Sequence, residues 1–258
     1  MQDNPQVIEE KANALLAEEK YHEAYRLFKK AAGLYRKNKN LRQSAFCSAM
    51  AASCWSIRSG EKRFNNAAIL YENAARDAEA CRDLEYASLL YKQAAINHER
   101  DRELINLSDC LYSSKECYRK FLVRRLFNAK KIHPITKSKE KKNLISSLKR
   151  GVLCLMLTLS YLIWGHGERP SRTFASCVLV ILISSLFYSA GYLLKEGLVS
   201  RPHFLDALYF SVVTFTTVGF GDVTAVGLNK IIVMLESLCS IFIMPLFIIG
   251  FSRKYLRI

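Results

Sequence analysis

From Glu9 to about Val123, apolar residues return every three or four positions among Lys, Glu and Arg, and no proline interrupts them. That spacing predicts continuous helix. Small residues recur within it: Ala24 with Ala31-Ala32, Ser44 with Ala51-Ala52, Ala67 with Ala74-Ala75, Ala87 with Ala94-Ala95, and Cys110 with Cys117-Tyr118. Their second members advance by 20, 23, 20 and 23 residues, which gives a period of 43. Each unit is then two antiparallel helices, and positions seven apart share one helical face. Small side chains there allow close helix approach, with Phe28, Tyr71 and Tyr91 filling the space between, as in a helical solenoid.

The second half reads differently. Gly151 to Trp164 is an unbroken apolar run of fourteen residues, about 21 Å as a helix and short of a hydrocarbon core of about 30 Å. It predicts a helix lying in or dipping into the membrane interface, with a third crossing as the rival reading. Phe174 to Leu194 holds twenty-one uncharged residues, enough to cross. After Gly197 a polar turn is expected, then a shorter apolar helix from Phe204 to Phe215 opened by Pro202, then a second crossing from Ile231 to Phe251.

Charge fixes the orientation. Between Arg119 and Arg150 stand twelve Lys or Arg against Glu140 alone, and Arg253, Lys254 and Arg257 follow the second crossing. Basic flanks stay on the cytoplasmic side against anionic lipid, so both termini are expected there, at the cell membrane. A basic block next to apolar segments points to lipid and not to nucleic acid. Five cysteines precede residue 120 and none forms a CxxC pair, so reduced thiols in a cytosolic domain are expected. No phosphate-cradling glycine motif and no acid, base and nucleophile set emerges, which argues against an enzyme and calls for no cofactor. His22 and His98 stand among charged helix positions and read as solvated.

The candidate chemistry lies between the crossings, at Thr217-Val218-Gly219-Phe220-Gly221-Asp222. A bare ion must trade its water shell for protein oxygens at nearly equal free energy, which rings of backbone carbonyls accomplish. Pointing successive carbonyls at one axis needs backbone angles that a Cβ resists, hence Gly219 and Gly221 at alternate positions. Thr217 supplies a hydroxyl at the inner mouth, Val218 and Phe220 point away from the axis, and Asp222 attracts cations at the outer entrance. K+ is the expected ion, held at Thr217, Val218, Gly219 and Phe220. One chain gives a quarter of each ring, so a homotetramer is expected.

Glu236 lies inside the second crossing, about 12 Å in, where it either hydrogen-bonds behind the filter to a hydroxyl such as that of Thr214 or contacts permeating ions directly. Ser240 and Pro245 are further candidates for gating or filter support, Pro245 by removing a backbone donor.

The span from Leu153 to Arg257 resembles the prokaryotic two-span potassium channels. The junction Trp164-Gly165-His166-Gly167-Glu168-Arg169-Pro170 is similar to one found ahead of the first span in some of them. The resemblance implies an inverted-teepee pore, with the filter residues carried over one for one and Phe220 in place of tyrosine. Many relatives carry a hinge glycine where Ser240 stands. The first half resembles the tetratricopeptide superfamily, and Asn66 to Ser113 the SNAP-type adaptors, which implies a protein partner for it. The expected chain is all-α: repeat domain 1–123, basic linker 124–150, interfacial helix and junction 151–172, pore 173–258. A membrane-anchored adaptor with a non-conducting pore is the alternative, and the intact Thr217, Gly219 and Gly221 favour conduction.

Overall fold

A computed structural model describes residues 4–57, 63–127 and 144–252. Most of the basic linker and the basic residues after the last helix lie outside the described residues. The chain is all-α and divides into two compact units, Met1–Leu159 and Ser160–Ile258.

The first unit is a stack in which each helix packs on the next: α1 (Pro5–Ala17), α2 (Tyr21–Lys37), α3 (Leu41–Ile57), α4 (Arg63–Ala80), α5 (Leu84–Arg100) and α6 (Leu104–Phe127). Asn4 caps α1 through Gln6 N, and Asp83 caps α5 through Tyr86 N. Left-handed residues close the turns between helices, at Glu19, Lys39, Arg82 and Arg102. The small residues of the 43-residue period are buried from Ala24 to Cys117, as are Phe28, Tyr71 and Tyr91. Tyr118 departs from the pattern and is exposed.

Asp77, on α4, receives the guanidinium of Arg36 through three contacts of 2.6–3.1 Å and the Ser44 hydroxyl at 2.6 Å, which ties α2, α3 and α4 together. Asp77 is nearly buried while the Arg36 side chain is half-exposed, so the pair is only partly shielded from water. Cys47, Cys54, Cys110 and Cys117 are buried small residues, whereas Cys81 is exposed. Burial raises the thiols of Cys47 and Cys117 to about 12. The solvated reading of His98 is corrected: it is 1% exposed, because α5 turns it into the stack beside Glu72.

Helix α7 runs Leu144–Trp164, seven residues longer than the apolar run that predicted it. Leu148–Gly167 is long and apolar enough to cross a membrane, so shortness is no argument against a crossing by this segment. The run was undersized because Leu144–Arg150 continues the same helix; after Trp164 the chain kinks into a tight turn at 165–167. Gly165, His166 and Gly167 are all left-handed there, and a Cβ on Gly165 would lie 2.7 Å from that of Arg169.

In the second unit, α8 (Pro170–Ala190) starts on proline and α10 (Asn229–Phe251) packs on it, with the shorter α9 (Phe204–Phe215) against both. Pro202 precedes α9 by two residues and does not open its first turn, since His203 takes the cap position. The expected polar turn is a small sheet ordered β2-β1-β3, from β1 (Leu193–Lys195), β2 (Leu198–Ser200) and β3 (Val223–Ala225). Glu196 and Gly197, with φ of 52° and 80°, make the two-residue turn of the β1–β2 hairpin, while β1 pairs antiparallel with β3 at Leu193↔Ala225. Tyr188, Leu193, Ala207, Phe210 and Val223 form the core beneath the sheet.

Candidate functional site

One residue, Thr216, separates the end of α9 from the candidate sequence Thr217–Asp222. Leftover carbonyls at a helix C-terminus must find donors. Here the amide of Thr217 turns back to Thr214 O at 3.0 Å, and those of Val218 and Gly219 share Val213 O at 3.1 and 3.4 Å. These bonds draw the amides of the loop toward the end of α9.

The backbone alternates. Thr217, Gly219 and Gly221 have φ of 59°, 58° and 81°, and Val218 and Phe220 between them do not share that conformation. Alternation between left-handed and ordinary residues lets consecutive carbonyls of a non-helical segment face one side, whereas those of a regular strand alternate. Gly219 and Gly221 were legible as requirements of this geometry. Thr217, a residue with a branched Cβ, takes the same strained conformation, and its hydroxyl donates to Thr216 O at 2.7 Å.

Among the described residues nothing covers the loop Thr217–Asp222. Val218 is 55% and Phe220 69% exposed, and Asp222 is exposed at the outer end. Asp222 is held there by Tyr209 of α9, whose hydroxyl donates to it at 2.9 Å. Behind the loop lies a cleft of about 380 Å³ lined by Phe210, Val213, Thr217, Gly219, Val223 and Ser237. The C-terminus of α9, the partly negative end of a helix, leads directly into the loop Thr217–Asp222.

Glu236 is the buried polar centre of the unit, 2% exposed on α10. The expected Thr214 partner is corrected to Ser211, one turn earlier on α9, whose hydroxyl meets one Glu236 oxygen. Tyr188 of α8 donates to the other at 2.6 Å, and the Ser184 hydroxyl adds a third contact. The Ser211 oxygen also lies 3.0 Å from Ile181 O. One carboxyl group therefore joins the outer helix, the filter-bearing helix and the inner helix. Tyr188 stacks edge-on with Phe210 at 4.9 Å, so the clamp is set in packed aromatic surroundings. Tyr188 and Ser184 were missed because they are far from Glu236 in sequence, and the only signal was their polarity in an apolar helix.

Ser240 lies on the buried face of α10, its hydroxyl bonded to Ser237 O at 3.0 Å. Pro245 sits inside α10, which continues as helix on both sides of it. Asn229 at the start of α10 donates to Tyr192 O at 3.0 Å, and a Cβ on Gly191 would fall 2.6 Å from the Asn229 amide. That contact ties the C-terminal end of α8 to the start of α10.

Residues 175–256 match a family whose description is "Ion channel". No curated protein and no solved structure matches the chain. Together with three helices able to cross a membrane, the match identifies the C-terminal segment as an ion-channel module of a membrane protein.

Proposed function

We propose that this chain is one subunit of a potassium-selective channel that conducts as a homotetramer. The observation that carries the reading is the alternation of left-handed residues at Thr217, Gly219 and Gly221 on the end of a twelve-residue apolar helix. Carbonyls set out this way replace water around a dehydrated cation without presenting a full negative charge, which suits K+ over Na+ or Ca2+. Four copies complete the rings and cover Val218 and Phe220, which a single chain leaves to solvent. The ion sites are the backbone oxygens of Thr217, Val218, Gly219 and Phe220, with Asp222 at the entrance.

In this reading Glu236 is a positioning residue that holds the filter-bearing helix between its neighbours. Ser240 fills the place where a hinge glycine stands in similar channels, so bending of the inner helix centres on Pro245, where a backbone donor is missing. Basic residues ahead of α8 and after α10 place both termini in the cytoplasm. A crossing by α7 would carry the block Arg119–Arg150 to the outer side, against the charge rule, so α7 lies along the inner interface. Leu148, Val152, Leu155, Leu159 and Leu162 are exposed at helical spacing, and the exposed Leu153 and Met156 widen that apolar surface. The helical stack, reduced and cytosolic, binds a protein partner and biases the gate through the linker and anionic lipid.

The test is potassium uptake into vesicles loaded with the purified full chain. Uptake that is abolished by Gly219→Ala, in protein that still assembles, supports the reading. Equal uptake with the wild type and the variant would overturn it.

A further inference from the structure

Three consecutive helices of the first unit each send one metal-competent side chain to a common point. Glu72 comes from α4, His98 from α5 and Cys110 from α6. His98 Nε2 lies 2.7 Å from Glu72 Oε1, Cys110 Sγ lies 3.5 Å from the same oxygen, and all three atoms are within 4.8 Å of one another. Imidazole nitrogen, thiolate sulfur and carboxylate oxygen are the ligand types of Zn2+, at bond lengths of about 2.0–2.3 Å. Tetrahedral bonds of that length separate neighbouring donors by about 3.3–3.8 Å, so rotamer adjustments of roughly an ångström close the set.

Packing alone does not call for these residues. One 43-residue period earlier, the corresponding positions are Lys29, Trp55 and Ala67, so the repeat itself does not demand these ligand types. His98 is 1% and Cys110 3% exposed, while the Glu72 side chain, 21% exposed, leads to solvent and offers an entry path. Arg76 takes the second Glu72 oxygen at 3.1 Å, which turns Oε1 toward His98 and Cys110.

We propose that Glu72, His98 and Cys110 form an exchangeable binding site for a zinc-type divalent cation within the helical stack. Three protein ligands leave a fourth position for water. Among the described residues His98 Nδ1 has no hydrogen-bond partner, so none of their carbonyls or carboxylates fixes the ring tautomer as one does at permanent sites. Both features suit a site that loads and unloads. Binding releases the Cys110 proton to solvent and moves the His98 ring proton from Nε2 to Nδ1, with no change of oxidation state. The bound ion ties α4, α5 and α6, and α6 is the helix that leads into the basic linker.

The experiment is a Co2+ titration of the metal-free full chain in detergent, read by absorption. The proposal expects a thiolate-to-cobalt charge-transfer band saturating at one ion per chain, removed by Zn2+ in excess. Cys110→Ser should abolish the band, Glu72→Gln should weaken cobalt affinity about tenfold or more, and Cys81→Ser should change nothing. Absence of a thiolate band in the wild type at saturating Co2+, or its persistence in Cys110→Ser, overturns the proposal and leaves a hydrogen-bonded triad. The wild-type spectrum decides even where a variant misfolds. Because the readout is spectroscopic, its failure is independent of whether the chain conducts potassium.

Discussion

Replacing Glu236 by alanine removes the acceptor on which two other helices converge. The Tyr188 hydroxyl then loses its bonded partner in a buried site, whereas Ser211 keeps Ile181 O at 3.0 Å. Stranding a buried hydroxyl costs about 1–3 kcal/mol, so with a lesser share for Ser211 and the lost packing the variant should be destabilised by about 2–4 kcal/mol. Glu236→Gln is the informative contrast. Its amide oxygen still accepts from Tyr188, and its NH2 donates to the Ser211 oxygen while the Ser211 proton serves Ile181, so a loss below about 1 kcal/mol is expected. The assay is the midpoint of denaturant-driven dissociation of the reconstituted assembly, read beside potassium flux on the same samples. Alanine should lower both and glutamine neither. Two variants indistinguishable from wild type in midpoint and flux would refute the argument that this carboxyl group positions the filter-bearing helix.

Gly221→Ala should abolish conduction while leaving assembly intact, since the Cβ meets no neighbour in the chain but φ of 81° is denied to it; flux and size-exclusion profiles check this together. Gly191→Ala should destabilise the second unit by about 1–3 kcal/mol, because its Cβ would lie 2.6 Å from the Asn229 amide; thermal melting measures the loss. Asp77→Ala should lower the melting point of the stack more than the exposed Glu85→Ala, since Arg36 and Ser44 lose their shared acceptor. Alkylation of the native stack at pH 8 should fall on exposed Cys81, because Cys47 and Cys117 stay protonated until pH nears 12 and are buried. An impermeant thiol reagent applied to intact cells should then spare Cys81; modification from outside would put the stack on the outer face and make α7 a crossing.

What the sequence made legible followed from local chemistry. The 43-residue recurrence of Ala and Ser named the buried face of five helices, and the glycines at 219 and 221 declared their backbone angles. Glu236 stood out because a carboxyl group in an apolar run needs a partner. Which hydroxyl it meets depends on how far α10 slides along α9, and Ser211 and Thr214 share a face one turn apart, so pattern alone could not separate them. His98 was misread for a related reason: its burial comes from α4 and α6 on either side, not from its neighbours in sequence. The β1–β2 hairpin had a signal in Glu196-Gly197 between Leu194 and Leu198, but strands of three residues give too little alternation to register. The length of α7 was underestimated because charge and serine in Leu144–Arg150 break the hydropathy, not the helix.

The central claim is selectivity, and the direct measurement is the reversal potential of single channels formed by the purified full chain between potassium and sodium solutions. Carbonyl rings built from Thr217, Val218, Gly219 and Phe220 predict a reversal potential close to the potassium equilibrium value. A reversal potential near zero, with the two ions equally permeant, would contradict it.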